Sequence, residues 1–169
     1  GILWHINLDV WEQAGLLDDA GNPVFPAGLE EFEAACQKVL ETTNSPIFGG
    51  GDDDIVGTEV IWFSIYSQLG GSVADENGMP SVNTPLAVEA LETQKRLRDT
   101  GCFSTGELGK TYEGFNQGIV AGVNGGTWMV NEFDAQVQDP NAGLKNLFVP
   151  AYPPVGKHPA ISGGGAPDL

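Results

Sequence analysis

The chain has 169 residues, of which 41% are hydrophobic and 18% charged, a composition typical of one globular domain rather than of a disordered chain. Its 7 Lys and Arg against 23 Asp and Glu give a formal net charge of −16, which argues against binding to nucleic-acid phosphates or anionic membrane surfaces. No apolar run approaches the roughly 20 residues of a transmembrane helix, so no membrane insertion is predicted within this segment.

Hydrophobic spacing and turn-forming residues divide the first half of the chain into alternating strands and helices. Gly15 and Gly70 follow apolar segments of helical spacing and are placed to end two of the helices. The segment over 17–26 is rich in aspartate, glycine and proline and is predicted to be a loop. The predicted elements are a strand over 2–6, a helix over 8–15, a helix over 28–42, a strand over 46–48 and a helix over 58–69.

The second half begins with a turn or small hairpin over 75–80. Thr84 followed by Pro85 is typical of a helix start, because threonine caps free N–H groups and proline fits the first helical turn. The helix that they begin is predicted to end at Gly101 and to turn four residues inward: Leu86, Ala90, Leu91 and Leu97. Further helices are predicted near 109–117 and 127–137, and strands near 119–123, 146–149 and 159–162. Short apolar strands alternating with helices predict a single α/β layered domain.

The two cysteines have the spacing of neither a metal site nor a redox motif. Cys36 occupies an apolar helix position and is predicted to be a small buried hydrophobic residue, with a disulfide to Cys102 as the alternative. The acidic run over 52–54 does not match the spacing of an EF-hand calcium loop. We therefore predict no metal site and no cofactor.

The segment from Phe115 to Trp128 is the most informative of the chain. It leads from the end of an amphipathic helix through a short apolar strand and a small-residue turn around Asn124 to a tryptophan at the start of another helix. Glycines beside Asn124 allow the backbone to turn sharply and to approach a ligand closely. A rigid aromatic ring in this position suits recognition better than catalysis, so the segment favours a binding function.

Five stretches, in the same order along the chain, resemble the extracellular solute-binding proteins of family 1, which are the sugar-type binding components of ABC importers. The first resembles the family's strand-to-helix signature, and the fourth resembles its pattern Phe-x-x-Gly-x-Val-Ala-Met-x-x-x-Gly-x-Trp, with Gly122 in place of the methionine. Each motif alone is weak, whereas their ordered occurrence across nearly the whole chain is specific. The stretches are Trp4–Leu16, Leu29–Cys36, Gly70–Leu91, Phe115–Trp128 and Ser162–Gly165.

The resemblance implies a periplasmic-binding-protein-like α/β lobe of three layers, with a central mixed sheet flanked by helices. Residues 1–169 would be most of the C-terminal lobe of a two-lobed protein, without the N-terminal lobe and the final helices. The implied function is non-catalytic capture of a carbohydrate or polyol and its delivery to the permease subunits of an ABC transporter. The implied location is periplasmic or extracellular, with a lipid anchor at the cell surface in a single-membrane bacterium.

The resemblance also implies which residues line the ligand cleft. Trp128 is expected to stack its flat apolar face on a sugar ring, with core packing as the alternative. The Asn124 amide is expected either to hydrogen-bond a hydroxyl or to cap the next helix. Gly125 is expected to bring the backbone close to the ligand.

A second group of expected ligand contacts follows the acidic loop. Asp54 and Glu59 carry carboxylates that accept hydrogen bonds from hydroxyls, and Trp62 follows them at a loop-to-helix corner that contributes cleft residues in the family. The alternative is a solvated acidic loop whose charges favour the start of the following helix.

His5 lies in the first strand, where it is either a structural histidine or a ligand contact. An enzyme is the main alternative to a binding protein, namely a glycoside hydrolase or another carbohydrate-active enzyme on an α/β scaffold. Such an enzyme needs a pair of positioned carboxylates. Asp and Glu are abundant in this chain, but nothing in the sequence positions a pair, so we predict no enzyme.

Overall fold

A computed structural model describes residues 2–49, 55–104 and 108–148 of the chain. Strands and helices follow one another along these segments in the predicted order, apart from the additional short strand β3. The strands are β1 (Ile2–Asn7), β2 (Phe48–Gly49), β3 (Phe103–Ser104), β4 (Gly122–Gly126) and β5 (Leu147–Phe148). The helices are α1 (Leu8–Gln13), α2 (Leu29–Thr43), α3 (Ile55–Gln68), α4 (Pro85–Asp99), α5 (Leu108–Asn116) and α6 (Val130–Gln138).

The strands form one mixed sheet in the order β3-β2-β4-β1-β5. β2 runs parallel to both β3 and β4, whereas β1 is antiparallel to its neighbours β4 and β5. Ile2 at the start of β1 pairs with Gly126 at the end of β4. The carboxyl ends of β2, β3 and β4 therefore meet the amino end of β1 along one side of the sheet, which we call the carboxyl edge.

Helices cover both faces of this sheet. Because successive strand residues alternate between the faces, Ile6 contributes to one core cluster and Val123 to another. The first cluster is completed from α1 to α4 by buried residues such as Trp11, Phe32, Ile65 and Leu97. The second cluster is completed mainly from α5 and α6 by Phe115, Val120, Met129, Phe133 and Leu144. The three-layer arrangement that the sequence predicts is thus confirmed.

The predicted helix boundaries rest on local chemistry that the structure contains. The Thr84 hydroxyl accepts a hydrogen bond from the backbone N–H of Ala87 at 3.2 Å and so caps α4. Gly15 and Gly101 follow α1 and α4 with φ values of 63° and 81°. These values lie in the left-handed region, which glycine adopts without steric cost, and they explain why both helices stop where predicted.

The turn predicted at 75–80 is confirmed, and the loop over 17–26 contains a second copy of it. Asp75 accepts hydrogen bonds from the N–H groups of Asn77 and Met79 at 2.8 and 2.9 Å. Asp18 accepts from the N–H groups of Ala20 and Asn22 at 2.9 and 2.8 Å. These hydrogen bonds lower the pKa of both aspartates below its usual value, since they favour the ionised carboxylate.

Several predicted boundaries are wrong. α3 begins at Ile55 rather than at residue 58, and β2 and β4 begin later than predicted. β4 includes Asn124 and its neighbouring glycines, which we predicted to form a turn. The short strand β3 was not predicted, because two residues are too few to show a periodic pattern. The strand predicted near 159–162 lies outside the described residues.

The inward prediction for Leu91 is also wrong. This side chain is 55% exposed, whereas Ala90 and Leu97 of the same helix are buried. A single apolar residue on the outer face of a helix is common, because folded proteins leave much apolar area in contact with water. Leu91 therefore takes no part in the core.

Cys36 is buried as predicted, but it is bonded to Cys102, which the sequence analysis gave only as the alternative. Cys36 on α2 and Cys102, just before β3, form a disulfide across a sequence separation of 66 residues. Packing of α2 against β3 brings them together, and the rings of Phe32 and Phe103 lie 6.1 Å apart beside the bond. Such long-range pairing leaves no trace in local spacing.

Candidate functional site

The parallel strands β2, β3 and β4 all end at the carboxyl edge. The segment after β2 leads into α3, the segment after β3 leads into α5, and β4 runs directly into a 3₁₀ turn over Thr127–Met129. In open α/β sheets, ligands bind outside the carboxyl ends of the strands, where loops and helix starts converge. This edge is therefore where a site is expected on physical grounds.

Trp128 is the most exposed large aromatic residue of the described chain, with 70% of its surface open to solvent. It lies in the 3₁₀ turn directly after β4, as the sequence predicts for the start of a helix. Its neighbour Met129 is buried in the second core cluster and fixes the backbone of the turn. Trp128 is thus held at the carboxyl edge by a rigid backbone and is not part of the core.

Asn124 lies on the same face of the sheet as Trp4, with which it pairs across β1 and β4. Its side chain is partly buried, and its backbone carbonyl accepts a hydrogen bond from the Tyr112 hydroxyl at 3.0 Å. It does not cap a helix, because it lies within β4. Its amide is therefore presented two residues from the end of the strand, on the face of the sheet that Trp4 shares.

Gly125 and His5 face the opposite side of the sheet and contact each other. The His5 ring is fully buried, its Nε2 lies 3.3 Å from the Gly125 carbonyl oxygen, and its edge packs on Phe133 at 4.8 Å. A β-carbon on Gly125 would lie 2.7 Å from the His5 ring, so only glycine fits there. Burial lowers the pKa of His5, while its hydrogen bond with the Gly125 backbone acts in the opposite direction.

This placement favours the structural role for His5, which the sequence left open, over a ligand contact. It also gives Gly125 a different role from the expected one. The missing side chain at residue 125 makes room for the histidine ring rather than for a ligand.

Trp62 is engaged in packing between α3 and α4. Its indole N–H donates a hydrogen bond to the carbonyl of Ala87 at 3.2 Å, and its ring stacks on Tyr66 with centroids 5.0 Å apart. The hydroxyl of Tyr66 in turn donates to the Ser72 carbonyl at 2.9 Å. These contacts fix the orientation of the partly buried Trp62 ring between α3 and α4, and its expected contact with a ligand stays a prediction.

Glu59 is exposed on α3, four residues after the first helical residue Ile55 and so about 6 Å along the helix axis from it. In the sheet, β4 is a neighbour of β2, the strand that α3 follows in the chain. Asp54 lies outside the described residues. Of the predicted site residues that the structure describes, Asn124 and Trp128 lie at the carboxyl edge, and Glu59 lies in the second turn of the helix that follows β2.

Two residues at this edge were not among the predicted contacts. Gly126 lies directly beneath the indole of Trp128, where a β-carbon would come within 2.2 Å of the ring. Trp4 packs its partly buried ring against Phe48 at 4.5 Å and supports the edge from within the first core cluster. The Gly-x-Trp spacing at the end of the Phe115–Trp128 stretch is the sequence signal that could have identified Gly126.

A cavity of about 580 Å³ lies away from this site, between α5, α6 and the segment after α6. Its walls are mostly amide and carboxylate side chains, among them Glu113, Asn116, Glu132 and Gln136. None of the sequence-predicted contact residues lines it. The segment after α6 contributes Asp139, Asn141, Ala142 and Gly143 to the lining, and α5 and α6 cover the other face of the sheet from Asn124.

The described residues contain no group of three His, Cys, Asp or Glu side chains arranged to hold a metal ion. Over the same residues, the helices are too short or too polar to cross a membrane. The acidic run over 52–54, for which the sequence predicts no calcium site, lies outside the described segments.

Comparisons with known proteins identify the fold. No protein-family model matches the sequence, and no curated protein matches it. The GacH receptor of Streptomyces glaucescens, solved unliganded and with acarbose, superposes with a TM-score of 0.72 and 20% identity, over 95% of this chain and 39% of the receptor. UgpB of Mycobacterium tuberculosis, solved with glycerophosphocholine, gives a TM-score of 0.69 and 18% identity, over 95% and 37% of the two chains.

The ABC substrate-binding protein Lmo0181 of Listeria monocytogenes, solved with cycloalternan, gives a TM-score of 0.62 and 20% identity, over 88% of this chain and 36% of its own. The chain thus spans less than two-fifths of the length of each of these three proteins. Likeness at this level of identity shows a shared fold. It confirms the predicted fold, that of a lobe of periplasmic-binding-protein type.

Proposed function

We propose that this chain is most of the C-terminal lobe of a two-lobed solute-binding protein. The protein captures a neutral carbohydrate or polyol outside the cytoplasmic membrane, without catalysis, and delivers it to the permease of an ABC importer. The solved proteins that share the fold include carbohydrate-binding proteins, which supports this assignment.

The observation that carries the proposal is the exposed indole of Trp128 at the carboxyl edge. Tryptophan offers a large, rigid apolar face with one polar N–H group, and it is enriched where proteins contact other molecules. An indole face is flat and apolar and matches the C–H face of a sugar ring. Its place beside the ends of two parallel strands is that of a ligand site in this class of sheet.

In this proposal, three polar side chains join Trp128 in contacting the ligand. Glu59 supplies a carboxylate that accepts hydrogen bonds from hydroxyls, and the Asn124 amide can both donate and accept. Asp54 is a further candidate acceptor from the segment before α3. With a net charge of −16 around them, these acceptors favour a neutral, hydroxyl-rich ligand over an anionic one.

In this proposal the ligand lies between two lobes that close on it by hinge rotation. Periplasmic binding proteins close around their ligands by this kind of motion. Closure is favoured by the ligand because both lobes contact it only in the closed state. This lobe alone makes only part of the contacts. We therefore expect the isolated lobe to bind at millimolar concentration or more weakly.

The Cys36–Cys102 disulfide supports a periplasmic or extracellular location. Structural disulfides persist in oxidising compartments and are rare in the bacterial cytoplasm, where thiols are kept reduced. In a single-membrane bacterium, a lipid anchor would keep such a protein at the cell surface.

Isothermal titration calorimetry of the complete protein tests the proposal, after a thermal-shift screen of neutral sugars, polyols and compatible solutes. We expect a ligand to raise the melting temperature, and Trp128→Ala to weaken its binding about tenfold or more, because aromatic contacts contribute about 1 kcal/mol beyond their buried area. Leu91→Ala is the matched control, since it removes an exposed apolar side chain from the outer face of α4. It should leave the affinity unchanged.

Two results would contradict the proposal. Steady hydrolysis of an aryl glycoside or of the bound oligosaccharide would make the protein an enzyme. Indifference of the melting temperature and of tryptophan fluorescence to every neutral carbohydrate would instead favour a protein-interaction domain.

A further inference from the structure

The indole of Trp128 lies flat against the backbone of Gly126. A β-carbon built on Gly126 would lie 2.2 Å from Cζ2 and 2.3 Å from Cε2 and Cη2 of that ring. Real β-carbons essentially never approach other heavy atoms this closely, so any side chain at residue 126 must displace the indole. One face of the ring is therefore covered by the strand, while the residue remains 70% exposed.

The backbone of Gly126 gives no other reason for glycine. Its φ of −67° is one that every residue adopts freely, unlike the left-handed glycines that end helices. The residue is also buried, so the space that a side chain would take is occupied by a neighbouring group. That room is filled by the ring of Trp128.

The surrounding structure restricts how a clash could be relieved. Met129 is packed in the second core cluster, and Ile2 of β1 pairs with Gly126 from the neighbouring strand. The backbone on both sides of Trp128 is thus fixed by packing and by the sheet. An added methyl group at residue 126 would rotate the indole away from the strand and leave the backbone in place.

We propose that Gly126 is a positioning residue that sets the height and tilt of the Trp128 ring above the carboxyl edge. That the ring contacts a ligand rests on the function proposed above, whereas its position against Gly126 does not depend on that function. In this arrangement one indole face rests on the strand and only the opposite face is available to a ligand. Gly126 thereby limits the site to one stacked ring at this position.

The test uses Gly126→Ala in the complete protein labelled with 5-fluorotryptophan. The ¹⁹F resonance of Trp128 is identified by its loss in Trp128→Phe. We expect G126A to shift this resonance and to change its solvent isotope effect, while the other tryptophan signals stay in place. Gly28→Ala is the matched control, because a β-carbon there meets nothing within 4 Å.

The same variant is then titrated with the carbohydrate that the wild-type protein binds. We expect the Kd to rise about tenfold, comparable to the loss of one well-placed aromatic contact. In a Trp128→Ala background, G126A should change neither the Kd nor the melting temperature further, because the ring it displaces is gone. This background also keeps the test valid if G126A alone is poorly folded.

An unchanged Trp128 resonance in G126A would overturn the proposal. The proposal would also be overturned if G126A lowered the melting temperature equally in the wild type and in the Trp128→Ala background. The effect of the methyl group would then not depend on the Trp128 ring. If the wild-type protein bound no carbohydrate while G126A still shifted the Trp128 resonance, the seating would stand and the proposed function would fail.

Discussion

The structure allows us to work out how much stability the protein loses when the Cys36–Cys102 disulfide is removed. Cys36 and Cys102 are buried and almost inaccessible to solvent, and they join α2 to the start of β3. The double variant C36A/C102A removes the bond without placing a hydroxyl or a free thiol in the core. Reduction of the wild-type protein provides an independent way to break the same bond.

The expected loss follows from the length of chain that the bond closes. The sequence separation of 66 residues includes β2, α3 and α4. In the chain-entropy model, a cross-link over a loop of this length destabilises the unfolded state by about 4 kcal/mol at 25 °C. That loss is a large part of the total stability of about 5–15 kcal/mol that is typical of natural proteins.

Urea unfolding followed by tryptophan fluorescence and circular dichroism measures the effect. We expect the unfolding free energy of the lobe to fall by about 4 kcal/mol in the variant, and by a similar amount when dithiothreitol is added to the wild type. Dithiothreitol should have no effect on the variant, which is the internal control. Stability of the variant within about 1 kcal/mol of the oxidised wild type would refute the argument that the bond restricts the unfolded chain.

Two further predictions concern packing and titration. Gly71→Ala should destabilise the lobe by about 1–3 kcal/mol in the same urea assay, because the added β-carbon would lie 2.1 Å from the hydrogen-bonded ring of Tyr66; a loss no greater than that of Gly28→Ala would contradict this. His5 has a lowered pKa in the folded state, so the folded form binds fewer protons and stability should fall as the pH falls below 6.5. His5→Phe should abolish the pH dependence of the unfolding free energy between pH 6.5 and about 5. Asp18, Asp75 and Asp99 do not interfere in this window, because the fold lowers their pKa values further below it. An unchanged slope in this variant would assign the acid sensitivity to other groups.

Much of the fold was predictable because its helix signals are local. Thr84 and Pro85 mark the start of α4, and Gly101 marks its end, through contacts within a few residues. The aspartate turn at 75–80 is equally local. The strands were harder, since β2 and β3 have two residues each and owe their existence to their partners in the sheet.

The candidate site, like the fold, was only partly predictable from the sequence. Trp128 was predicted as an exposed ring after a glycine-rich segment, and its exposure agrees with that prediction. For Trp62 the sequence could not distinguish a ring at the cleft from a ring packed against Ala87 and Tyr66. For Gly125 the sequence predicted that a close neighbour requires glycine, but it did not show that this neighbour is the ring of His5.

By itself, the sequence determined the α/β class, the order of the helices, the acidic surface and the presence of a tryptophan suited to recognition. These properties depend on composition and on interactions between residues close together in the chain. Only the tertiary structure decided that Cys36 is bonded, that His5 fills the space above Gly125, and that the Trp128 ring rests on Gly126. Each of these depends on which atoms the sheet and its helices bring within contact distance, and local sequence patterns do not encode that information.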